Sequence, residues 1–109
     1  MNHSGINRVS LELARRVAER LRASPDLLEI ARANLSRWQE RNAVSPALLR
    51  CYAEWESILT RPLEQICALL VAETEEGQRL RQNSPFAGVL SAAEVWEIKN
   101  QLRHAAASA

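Results

Sequence analysis

Arg79-Leu80-Arg81-Gln82-Asn83-Ser84-Pro85-Phe86-Ala87-Gly88-Val89-Leu90-Ser91 is the stretch on which the reading of this chain turns. Before it, the sequence resolves into short amphipathic helices with recognisable caps. Within it the helical pattern stops, and Pro85 and Gly88 punctuate an apolar segment. Loops are usually polar because their backbone faces water, so Phe86, Val89 and Leu90 need a surface to bury against. That surface is either the protein's own core or a partner's.

Downstream, Ser91-Ala92-Ala93-Glu94 is a capping box, in which Ser91 and Glu94 bond each other's backbone amides. It opens a last helix over roughly 92–104 with the stripe Val95, Ile98 and Leu102. Upstream, Ser24-Pro25, Ser45-Pro46 and Ser84-Pro85 each place a hydroxyl before a proline suited to a first helical position, and Arg61-Pro62 opens another element. At about 100° per residue, apolar stripes emerge in four further helices. Over 7–23 the stripe is Val9, Leu13, Val17 and Leu21; over 25–41 it is Leu27, Ala31, Leu35 and Trp38. Over 46–59 it gathers Leu48, Cys51, Tyr52, Trp55, Ile58 and Leu59. The short segment 62–72 is apolar round more than half its circumference (Leu63, Ile66, Cys67, Leu69, Leu70, Val71), which predicts a place at the centre of the bundle. A weaker turn over 74–82 is opened by Thr74, with Glu75 and Glu76 favourably placed at its N-terminus. No period-two alternation suggests a strand. The expected fold is all-α: a single compact bundle of five or six short helices in one domain spanning 1–109, with 1–6 and 105–109 frayed.

Composition narrows the function. At 109 residues, 47% apolar and 25% charged, the chain can bury a core without disulfides or a metal. The net charge of +1 argues against a strongly basic nucleic-acid binder. Positive charge does gather at the start: residues 1–23 hold five arginines against Glu12 and Glu19. Spacings such as Arg8/Glu12/Arg16 and Arg15/Glu19 read as a solvated face laced with ion pairs. The alternative is a phosphate footprint using Arg8, Arg15 and Arg22. Cys51 and Cys67 fall on apolar faces with no signal peptide and no membrane-length apolar run, so buried thiols in a reducing cytoplasm are expected.

No cofactor, metal or catalytic set is expected. His3 and His104 sit near the ends, no ligand pair has metal-site spacing, and no Gly-rich phosphate loop occurs. The chain is not expected to be an enzyme. Trp38 and Trp55 lie within their stripes and read as core. Trp96 lies off the Val95/Ile98/Leu102 line, so it either packs under a loop or joins a contact surface. Phe86 has the same two readings: folded back on the bundle over a turn at Gly88, or an apolar knob flanked by Arg79 and Arg81.

The block 79–91 followed by Trp96 resembles the C-terminal signature of a group of small bacterial helical proteins. So do Ala31-Arg32-Ala33-Asn34-Leu35-Ser36-Arg37-Trp38 and Trp55-Glu56-Ser57-Ile58-Leu59. The group is associated with antitoxin-like partners encoded beside toxin genes. The resemblance covers about 27–98 and carries no catalytic residue. It implies an intracellular protein that works by binding another protein. The reading of the residues themselves gives Arg79, Arg81, Phe86, Val89 and Trp96 as candidate contacts. Two other expectations stay open, a nucleic-acid-binding regulator and a homo-oligomer; no membrane is expected as partner.

Overall fold

Among the described residues, eighteen buried apolar side chains drawn from every helix form one core, and the first helix packs against the fourth, fifth and sixth. The protein was described from a computed structural model that defines the backbone of residues 4–108 and the side chains of residues 8–105. Six helices follow one another: α1 (Ser4–Ala23), α2 (Leu28–Arg41), α3 (Pro46–Ile58), α4 (Leu63–Leu70), α5 (Glu75–Gln82) and α6 (Ala92–Ser108). A single 3-10 turn, Pro25–Leu27, precedes α2. No strand occurs among the described residues. The bundle is all-α, as the periodicity predicts. None of these helices is long and apolar enough to cross a membrane. Of the ends expected to fray, 4–6 and 105–108 are helical; residues 1–3 and 109 lie outside the described part.

The helices begin where side chains satisfy their first free amides. Ser45 accepts from the Leu48 amide, and Thr74 accepts from the Gly77 amide at 3.0 Å. The Ser91/Glu94 box closes in both directions, at 2.9 and 3.1 Å. Two expected starts differ. Ser24 makes no side-chain cap and leads into the 3-10 turn rather than directly into α2. Ser84-Pro85 opens no helix; the chain there makes a turn in which the Val89 amide bonds the Phe86 carbonyl and Gly88 takes φ +98°. Only glycine adopts that backbone readily.

One expectation about packing is overturned. The most apolar helix, α4, is not the hub; α1 is, packing against α4, α5 and α6. Length decides this, because α1 has twenty residues and α4 eight. On α1 the deepest side chains are Ala14, Val17, Ala18 and Leu21, and the two alanines let neighbouring helices approach closely. On α4, Ile66, Cys67 and Leu70 are buried while Leu63, Leu69 and Val71 are half-covered. Each full burial of a Leu or Ile contributes about 1.5–3 kcal/mol. The Cys67 thiol faces the Ala18 carbonyl at 3.8 Å, and burial pushes its pKa up; both cysteines are free. The α2–α3 pair is pinned by Trp38 against Tyr52, ring centres 5.8 Å apart, and by Asn42 donating to the Tyr52 hydroxyl at 3.0 Å.

Candidate binding groove

The segment 79–91 folds inward. Phe86 is 4% exposed and meets the Trp55 ring edge-on, centroids 5.7 Å apart; Val89 and Leu90 are buried with it. The apolar knob expected from Phe86 and Val89 is therefore corrected. In a loop no helical period says which way a side chain points, and here three groups from α2 and α3 decide it. Asn34 donates from one amide nitrogen to the Pro85 and Ala87 carbonyls at 2.8 and 2.9 Å. Trp55 Nε1 donates to the Leu80 carbonyl at 3.1 Å. Arg79 and Glu54 form a two-point ion pair, both bonds 2.9 Å, which holds the Glu54 carboxyl below its usual range. The stretches 31–38, 55–59 and 79–91 thus meet in space, and what they do together is hold the loop against the core.

Arg81 also turns inward and is 8% exposed. Its Nη1 donates to the Leu70 and Ala72 carbonyls, at 3.0 and 2.7 Å, closing the C-terminus of α4 with a cation. Arg79 remains on the surface, engaged with Glu54. Of the apolar candidate contacts, only Trp96 is exposed, at 66%. Val44, in the turn between α2 and α3, is the other large exposed apolar side chain, and no pattern in the letters singled it out.

The arginines of the alternative footprint lie seven apart on α1, hence on one line of the helix. Arg15 is engaged by Glu12 and Glu73, and Arg22 by Glu64. Arg8 makes no ion pair among the described residues. Two of the three cations already face carboxylates, which leaves little free charge for a phosphate backbone.

An open groove of about 810 Å³ lies between α1, the 84–90 turn and α6. The Arg20–Glu94 ion pair and the shared lining by Arg8 and Arg103 show that α1 and α6 run antiparallel along it. Its walls include Val9, Leu13, Val17, Leu90, Val95 and Leu102. Several of these are stripe residues that the core only half covers. Along α6, Trp96, Lys99 and Arg103 fall within about 60° of one another on the helix; Lys99 and Arg103 line the groove and Trp96 does not. The wall residues were named from the sequence as core, because periodicity identifies an apolar face but not whether a neighbour covers it. No protein-family model, curated protein or solved structure matches the chain.

Proposed function

We propose that the protein is a non-enzymatic protein-binding module of the antitoxin type, cytoplasmic and bacterial, which masks a working surface of a toxin encoded beside it. The observation that carries the reading is Trp96, two-thirds exposed on α6, the helix that also forms one wall of an open apolar groove. Large exposed aromatics anchored on a rigid helix are favoured as binding hot spots, and a contiguous apolar surface beside one supports a macromolecular contact. Phe86, Val89 and Arg81 serve this surface from beneath by fixing the turn that walls the groove, and Arg79 steadies α5 through Glu54. The mechanism is steric: the outer side of α6 covers the partner.

Co-expression with the product of the adjacent gene tests this. The expected result is a neighbour that is harmful alone, a complex with this chain, and loss of both complex and rescue in Trp96→Asp. A harmless neighbour with no complex sinks the reading. A strict dimer in solution that dissociates in Trp96→Asp would assign the same surface to self-association.

A further inference from the structure

The groove has a charge pattern that goes beyond the protein-binding reading. Four cations line it, Arg8, Arg81, Lys99 and Arg103, and no Asp or Glu does among the described residues. Arg81 is the deep one. Its two bonds go to neutral carbonyls, and its Nε is buried without an acceptor. The carboxylate whose field reaches it, Glu73, sits on the surface engaged with Arg15. A buried cation facing only neutral groups is costly, and an unmet buried donor adds to the cost. Burial accordingly holds this guanidinium below its ordinary pKa.

We propose that the groove is a binding site for an anionic amphiphile: one carboxylate or phosphate head on a slender apolar body. The head meets Arg81, with Arg8, Lys99 and Arg103 drawing it in, and the body lies along Leu13, Val17, Val95 and Leu102. The dimensions favour a small molecule over a partner's helix. Small-molecule sites span roughly 300–1,000 Å³ and are mostly apolar with a few placed polar groups; this groove, at about 810 Å³, falls inside that range. A cylinder of helix width, roughly 10 Å, would fill the same 810 Å³ in about 10 Å, fewer than two turns. A thin chain also reaches a cation that is nine-tenths buried, whereas a helix rides on the rim.

The test is calorimetric titration of the full chain with dodecanoate and with dodecyl phosphate, below the concentration at which either forms micelles. Dodecyltrimethylammonium and dodecyl maltoside serve as matched tails with cationic and neutral heads. The expected result is one-to-one binding of both anions, at least tenfold tighter than either comparator, with amide shifts centred on Leu13, Val95 and Leu102. Arg81→Lys should weaken binding several-fold. Because Arg81 also closes α4, the surface pair Lys99→Glu/Arg103→Glu provides a second arm, expected to weaken the anions tenfold without loss of helicity. Equal affinity for all four heads, loose binding at many sites, or no binding overturns the proposal. So does binding confined to a fourteen-residue amphipathic Leu/Glu peptide, which would assign the groove to a protein segment. Val44→Ser, in the turn between α2 and α3 and outside the groove lining, should leave the anion affinity unchanged; the titration needs no partner protein, so this result stands or falls separately from partner binding.

Discussion

Asn34 holds the 84–90 turn with its buried amide, and Trp55 holds it with its ring against Phe86 while its indole N–H bonds the Leu80 carbonyl in α5. Removing the Asn34 amide leaves the Pro85 and Ala87 carbonyls without their donor. Asn34→Ala is therefore expected to lower unfolding free energy by about 1–3 kcal/mol in urea titration. Trp55 is fully buried, spans α3, α5 and Phe86, and Trp55→Ala should cost about 3–5 kcal/mol. Against a total of roughly 5–15 kcal/mol, that is enough to threaten folding. Trp96→Ala should stay within about 0.5 kcal/mol of the parent, since its ring stands outside the core. A larger loss would mean that Trp96 carries packing. The contrast between the aromatics also marks what the letters could say. Trp96 sits in a helix, where a fixed period puts it off the buried line. Phe86 sits in a turn without a period, and only Asn34 and Trp55, some fifty and thirty positions away, turn it inward.

At the level of single helices, the α4–α5 junction and the start of α6 are the sensitive joints. A Cβ at Gly77 would lie 2.2 Å from the Ala72 carbonyl oxygen, so backbone must move to admit it. Gly77→Ala is expected to cost about 1–3 kcal/mol, and Gly88→Ala, at φ +98°, about 1–2 kcal/mol. Thermal melts of the two variants, each showing a lowered midpoint, check this. Glu94 begins α6 and pairs with Arg20, and that guanidinium together with the Ser91 amide depresses its carboxyl from 4.5 to about 2. A depressed folded pKa means the contribution is full above the unfolded value and disappears as pH falls from about 4.5 towards 2. The urea midpoint of the parent should therefore drop between pH 5 and 3 more than that of Glu94→Gln; parallel curves would refute the linkage. The capping box was readable because its partners are three residues apart. Arg20, seventy-four positions away, was not.

The arrangement of the bundle follows from length as much as from apolarity. The greasiest segment, α4, was expected at the centre, yet a twenty-residue helix with two buried alanines reaches more neighbours than an eight-residue one. Helix number, type and most boundaries were legible because each rests on a local pattern and a cap. The groove was not, because it arises where antiparallel α1 and α6 meet a turn and leave Leu13, Val95 and Leu102 half-covered. The ion pairs that orient these parts, Arg79–Glu54 and Arg22–Glu64, likewise join distant positions. Among the described residues, two features open to a second molecule are the groove and Trp96 on the outer side of α6. Placing a photoreactive benzoylphenylalanine at position 96, with position 44 as a still more exposed apolar control, probes this in the protein's own cells. The prediction is one discrete heteromeric adduct from position 96 that is absent from position 44; no adduct, or the same adducts from both positions, would contradict it.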